Sequence, residues 1–237
     1  RELPDGAAMA WPMIVRTAVI DEIVVRCVAE GARTVLNLAA GLDARPYRMD
    51  LPAELRWIHV DMPEMVAYFR EHMAGETPRC RLEFVAADLR DADVRRGVCA
   101  DAAREGPVLV ITEGLLIYLH QPDVEALAHE LHDTAHARWW VADLASPLLL
   151  KYLARRWSGP LSAGNAPFVF GPAAGTAFFA PFGFREREWR SHWTESFRLK
   201  RTARRAWLLE LLRKLQSRAK REPGLRMSGI MFLESED

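Results

Sequence analysis

The sequence predicts an α/β fold on a doubly wound, mostly parallel seven-stranded sheet, and three observations carry that expectation. Short apolar runs at 34–38 and 108–112 lack polar alternation, as strands covered on both faces require. Helix-period stretches separate such runs, the mark of parallel crossover units. The first run breaks into Ala39, Ala40 and Gly41, and a second run, 56–60, ends in Asp61 twenty residues after Gly41. Small residues let the backbone approach a ligand closely. An acid at the tip of the second strand is placed to accept hydrogen bonds from a ribose diol. The chain thus opens a nucleotide-type site on its first two strands.

The elements follow in chain order. Residues 1–12 read as a loop, with Pro4, Gly6 and Pro12, and 13–29 as a helix stopped by Gly31. After strand one, a turn and short helix cover 43–48, where Asp43 is a candidate cap. Strand two leads to a helix opening at Pro63 and running to 73, with His72 on its surface. Strand three is 82–86, and 89–103 reads as helical, so Asp88 is either its N-cap or a ligand acceptor. Strand four, 108–112, delivers Glu113 to a strand end, where open α/β sheets hold their ligands. A helix over 122–137 carries the core stripe Val124, Leu127, Leu131 and Ala135, and strand five is 138–143. His129, His132 and His136 cluster beside that stripe. They read as a partly exposed helix face and not as a metal site, because no cysteine accompanies them.

From Ser146 the character changes. A helix is expected over 147–157, followed by a Gly/Pro-punctuated segment, 158–184, with Phe168, Phe170, Phe178, Phe179, Phe182 and Phe184. Such a segment either covers the core or forms a lid over an aromatic-lined substrate pocket, and the lid is the favoured reading. Strand six at 184–190, a long amphipathic helix at 203–219 and a final strand at 227–234 complete the chain. The whole reads as one domain: a cofactor-binding core over 13–144, a lid region over 145–200, and a C-terminal helix and strand over 201–237.

Composition narrows the function. Lys+Arg and Asp+Glu both number 32, giving no whole-protein argument for nucleic acid, a membrane surface or an acidic partner. The run of basic residues from Arg198 to Arg226 reads first as a solvated helix face; nucleic acid and an acidic carrier protein are lesser readings. Cys27, Cys80 and Cys99 are odd in number and far apart, which suits a reducing cytoplasm. No apolar run is long enough to span a membrane. The chain begins at Arg1 without a methionine and reads as lacking its true N-terminus, which leaves targeting open.

Gly41 is followed by Leu42-Asp43-Ala44-Arg45-Pro46, without the second and third glycines of a dinucleotide fingerprint, and no phosphate-binding G-x-x-x-x-G-K-[ST] occurs. One turn glycine with a ribose-binding acid fits a nucleoside without phosphates, of which S-adenosylmethionine is the commonest cofactor. Asp88 can accept from an adenine amino group while Leu89 packs on the ring, and Glu113 can pair with an α-ammonium.

Five motifs in order carry a resemblance: Arg16 to Asp21, Asn37 to Arg48, Val60 to Glu64, Ala87 to Asp91, and Thr112 to Leu119. Together they resemble the leucine carboxyl methyltransferase family, with most similarity to its bacterial TcmP-like polyketide O-methyltransferases. The resemblance covers nearly the whole chain and is densest up to Leu144. It implies a Rossmann-like class I methyltransferase fold whose last strand is antiparallel. It also implies S-adenosylmethionine as cofactor, S-adenosylhomocysteine as product, and a small-molecule acceptor, free or carried on a protein. The family motif would place Arg16 on the cofactor's carboxylate, Ala39 and Gly41 at the cofactor turn, and Arg90 and Tyr118 at the acceptor's carboxylate. The family more usually has glycine where Ala39 or Ala40 stands. A phenolic acceptor would instead need a base, for which His120 and His192 are the candidates. The resemblance leaves two further readings, a protein C-terminal carboxyl methyltransferase and a non-catalytic binding protein; intact Asp61, Asp88 and Glu113 argue against the second.

Overall fold

The computed structural model describes residues 6–156, 167–202, 206–214 and 217–236. Seven strands form one sheet: β1 (Thr34–Leu38), β2 (Arg56–Asp61), β3 (Arg81–Ala86), β4 (Val108–Thr112), β5 (Ala137–Ala145), β6 (Phe184–Ser191) and β7 (Ser228–Ser235). Their order is β3-β2-β1-β4-β5-β7-β6, with β7 antiparallel to both its neighbours and all other pairings parallel. The predicted doubly wound sheet with an antiparallel last strand is therefore present, and that strand inserts between β5 and β6.

Alternation along each strand divides the core in two. On β1, Leu36 and Leu38 face one layer and Val35 the other. One layer is built under α1 (Gly6–Ala29), with Val19, Ile20 and Ile23 packed on Trp57, Trp139 and Phe232. The helix α3 (Pro63–His72) lies on the same face, where Phe69 stacks on His59. The opposite layer is covered by α4 (Ala92–Ala102) and α5 (Gln121–Asp133). A short helix, α2 (Arg45–Arg48), follows the β1 turn. Later come α6 (Pro147–Arg156), α7 (His192–Arg198), α8 (Ala206–Lys214) and α9 (Arg218–Leu225).

Several boundaries differ from the sequence reading for identifiable reasons. The first helix starts at Gly6, not 13, and runs through Pro12. The helix expected from 89 begins at Ala92, because Asp91 caps it by accepting from the Asp93 and Val94 amides; Asp88 is not the cap. The helix over 203–219 is not continuous: α8 is described as far as Lys214 and an extended Ser217 caps the start of α9, while 203–205 and 215–216 lie outside the described residues. The helix α7 was not foreseen.

The aromatic segment belongs largely to the core. Phe179 and Phe184 are fully buried against Trp140, Phe170 is buried, and Phe178 and Phe182 pack on the same cluster. For these five the core-covering reading holds. Phe168 differs: its ring stands 5.3 Å from that of Tyr118. The rest of the segment expected as a lid, 157–166, lies outside the described residues. Among the described residues, no helix is long and apolar enough to cross a membrane. All three cysteines are buried and free, and burial pushes the thiols of Cys27, Cys80 and Cys99 up to about 12, 11 and 12.

Candidate functional site

The C-terminal ends of β1, β2, β3 and β4 open onto two cavities that share Ala39. The smaller, about 380 Å³, is polar and lined by Arg16, Asn37, Gly41, Asp43, Arg45 and Glu113 among others. The larger, about 730 Å³, is mainly apolar, with Met62, Leu89, Leu115 and Leu119, and carries Asp61, Asp88, Arg90, Tyr118 and His120 on its walls. All nine predicted site residues thus line one or the other. Arg16, Gly41 and Glu113 lie in the polar cavity, Ala39 in both, and Asp61, Asp88, Leu89, Arg90 and Tyr118 in the apolar one.

The turn after β1 fixes where the cavities meet. Ala39 and Gly41 both have left-handed backbones, at φ +53° and +56°. At Ala39 this costs a residue with a β-carbon about 1 kcal/mol, a strain that glycine would not carry. A β-carbon at Gly41 would meet no protein atom within 4 Å, so it is the dihedral that demands glycine. Asp61 ties this turn to β2: one carboxylate oxygen accepts from the Gly41 amide at 2.6 Å and the other from the Met62 amide at 2.7 Å. Each oxygen keeps a further lone pair for a ligand.

Arg16 and Glu113 contact each other. The Arg16 Nε donates to Glu113 at 2.8 Å, and its guanidinium also stands 3.5 Å from Asp143. Gly114 makes room for this cation, since a β-carbon there would lie 3.2 Å from an Arg16 terminal nitrogen. Asp143, on β5, accepts from the Gly114 amide at 2.5 Å and so fixes the β4 end. Sequence reading missed Asp143 and, above all, Arg45. The Arg45 side chain is 2% exposed and reaches Asp21 at 2.7 Å, Asp43 at 3.0 Å and Glu113 at 2.8 Å. Burial opposes its charge, but Asp43, Glu113 and Asp21 outweigh that and push the guanidinium pKa up. Asp43 also accepts from Asn37 and from the Arg45 amide, which makes it the organiser of the turn more than an N-cap. The only signal for Arg45 was its place between Gly41 and Arg48; nothing in its charge announced burial.

On the apolar side, Asp88 is held by Arg90, whose guanidinium donates at 2.6 Å and whose amide donates at 3.0 Å. The side-chain bond to Arg90, then the amide bond, lowers the Asp88 carboxyl to about 2. Arg90→Ala is expected to raise the Asp88 midpoint from about 2 toward the ordinary carboxylate value without reaching it, because the residue-90 amide still donates; carboxyl NMR titration reads the shift. The sign follows linkage: a depressed carboxylate stabilises above its unfolded pKa, and that contribution fades as pH falls from there toward about 2. An unmoved midpoint in the variant would refute the pairing. Behind this loop, Arg95 donates to the Leu89 carbonyl and forks onto Glu130, locking Leu89 against the core.

Tyr118 sits on a 3-10 turn, Leu116–Tyr118, and is half exposed beside Phe168. The amides of Val169 and Phe170 both donate to the Ile117 carbonyl, which ties 169–170 to this rim. His120 lines the apolar cavity. His192 lines neither; its Nδ1 faces the Ser228 hydroxyl at 2.8 Å, and burial lowers its imidazole to about 4. Of the two base candidates, only His120 is in place. His129 and His132 turn to Asp133 and to the rings of Phe182 and Phe184.

A polar cavity with three arginines and two acids, joined at one small residue to a mainly apolar cavity with three acids on its walls, fits a ligand with a zwitterionic amino-acid end and a flat nucleoside end. Comparison with known proteins agrees. The sequence profile of the leucine carboxyl methyltransferase family matches residues 2–132. A candidate S-adenosyl-L-methionine-dependent methyltransferase of Mycobacterium marinum is 38% identical over 125 residues, covering 52% of this chain and 42% of that protein. The chain spans 38% to 55% of the length of the curated relatives it matches. Among solved structures, a DUF574 family protein from Streptomyces avermitilis superposes with a TM-score of 0.65 at 15% identity, over 98% of this chain and 87% of that one. Magnesium protoporphyrin IX methyltransferase from Synechocystis, solved with S-adenosylhomocysteine, superposes with a TM-score of 0.54 at 14% identity, over 100% and 90%. At these identities the structural likeness speaks for the Rossmann-like methyltransferase fold alone.

Proposed function

Because the chain belongs to the leucine carboxyl methyltransferase family, we propose that it is an S-adenosylmethionine-dependent O-methyltransferase. Its acceptor would be a carboxylate or hydroxyl oxygen of a small, aromatic or polyketide-like metabolite. The observation that carries this reading is the pair of cavities, one charged and one apolar, meeting at the Ala39 turn that Asp61 anchors. When bound, S-adenosylmethionine supplies an electrophilic methyl group on a sulfonium. The chain's own residues bind and orient. Arg16 can hold the carboxylate of the cofactor's amino-acid end, with Glu113 as the acceptor for its ammonium and Asp143 steadying Arg16 from behind. Asp61 can take the ribose hydroxyls, and Asp88 with Leu89 the adenine.

An in-line displacement asks mainly that nucleophile and methyl carbon be held together. A carboxylate is already ionised at neutral pH and needs no base. Tyr118 and Arg90 are the donors on the wall of the larger cavity that can orient it; a phenolic acceptor would pass its proton to His120. The buried free cysteines support a reducing compartment, and we place the protein in the cytoplasm.

The reading is tested with methyl-labelled S-adenosylmethionine and a panel of aromatic carboxylic acids and matched phenols. Base-labile label identifies an ester and base-stable label an ether. Tyr118→Phe is expected to raise the acceptor KM about tenfold with little change in cofactor affinity, the size of one hydrogen bond to a charged group. Label transferred to no small acceptor, and to a protein C-terminus instead, would replace this reading with that of a protein carboxyl methyltransferase.

A further inference from the structure

The helix α8 is mounted with its polar anchor inward and its apolar face outward. Ala206, Glu210 and Arg213 lie within one narrow arc of the helix. Ala206 is buried, and Glu210 accepts from the Trp193 indole at 2.6 Å and from Arg213 at 2.7 and 2.6 Å. The opposite arc presents Trp207, Leu208, Leu211 and Leu212, which are 62%, 42%, 55% and 59% exposed. A core-seeking helix has the reverse arrangement. The residues around it are strongly basic. From Arg198 to Arg226 the sequence carries eleven Lys and Arg against two acids, Glu210 and Glu222, in a chain whose total charge is zero; Arg198, Arg213 and Arg226 are paired with carboxylates, and the other eight are the cations that count toward a surface. Whole-chain balance hides this segregation.

We propose that α8 is a docking surface for an anionic lipid bilayer, lying in the interface plane. An outward Trp/Leu arc flanked by cations is the pattern of an interfacial helix: the apolar arc enters the headgroup boundary while the cations meet anionic headgroups. Nothing on the described outer arc is acidic or polar, so it asks for a plane of apolar and negative groups and not for a shaped polar groove. No spanning segment is involved, in keeping with the absence of a membrane-crossing helix among the described residues. The surface is separate from both cavities, neither of which α8 lines.

The test is co-sedimentation of the full chain with vesicles of equal parts phosphatidylcholine and phosphatidylglycerol, and with phosphatidylcholine alone. The protein is expected to pellet with the anionic vesicles, to stay in solution with the neutral ones, and to be released by molar salt, which shortens the screening length to ~3 Å. Leu211→Glu and Leu212→Gln, both at exposed positions, should reduce pelleting at least tenfold while circular dichroism and S-adenosylhomocysteine binding stay as in the parent. Equal pelleting of parent and Leu211→Glu would overturn the proposal, because charge alone would then explain binding. So would no pelleting with anionic vesicles, whether the protein is a monomer or forms a dimer that Leu211→Glu dissociates. The dimer outcome would assign the face to a second copy of the chain.

Discussion

Replacing Arg45 by methionine is expected to lower the unfolding free energy by about 3–5 kcal/mol, the usual cost of leaving buried charges without their partner. Three carboxylates, Asp21, Asp43 and Glu113, converge on this one side chain. Methionine fills much of the space and keeps the apolar stem, but three partly buried acids then face one another without the cation between them. Asp21 retains Arg48, at 2.7 and 2.8 Å, and Glu113 retains Arg16, so the loss falls hardest on Asp43 and with it on the Asn37 bond that shapes the turn. Urea unfolding followed by circular dichroism reads the effect as a lower midpoint at an unchanged slope. A change below about 1 kcal/mol, a surface ion pair's worth, would show that Arg45 is not the keystone of this turn.

Asp61→Ala should weaken S-adenosylhomocysteine binding by one to two decades, on the scale of about 1–3 kcal/mol for charged hydrogen bonds. The structure adds a second strand to this expectation. Both carboxylate oxygens already accept backbone amides, from Gly41 and Met62, so the variant removes a ligand acceptor and frees two donors at the turn. The two roles separate by measurement. Stability reports the lost turn bonds, and calorimetric affinity on protein confirmed to be folded reports the ligand. An unchanged affinity in a folded, less stable variant would leave Asp61 a purely structural residue.

The strands were legible because their residues obey simple rules. Thr34–Leu38 and Val108–Thr112 match the expected ranges without change, since an apolar run closed by small residues or a proline allows little else. The positions of Asp61 and Glu113 followed from strand ends alone. What sequence could not show was how charges are shared. Arg16 and Glu113 were expected to act separately on a ligand, and they contact each other as well. Arg45 looks like any surface arginine until the chain closes around it. The aromatics of 168–184 carry a pattern equally suited to a lid and to a core. Only packing against Trp140 decides for Phe179 and Phe184, and only the neighbour Tyr118 singles out Phe168. The inverted mounting of α8 was hidden too, because amphipathicity says that a helix has two faces and not which one turns inward.

The central claim is that the paired cavities at the Ala39 turn hold an S-adenosyl compound and not a dinucleotide. The one glycine of the turn, Gly41, and the acid at the second strand end, Asp61, are its ground. Isothermal titration of the protein with S-adenosylhomocysteine, and separately with NAD, tests it directly. Saturable one-to-one binding of S-adenosylhomocysteine with no heat from NAD is the predicted result. Saturable NAD binding with no response to S-adenosylhomocysteine would contradict it.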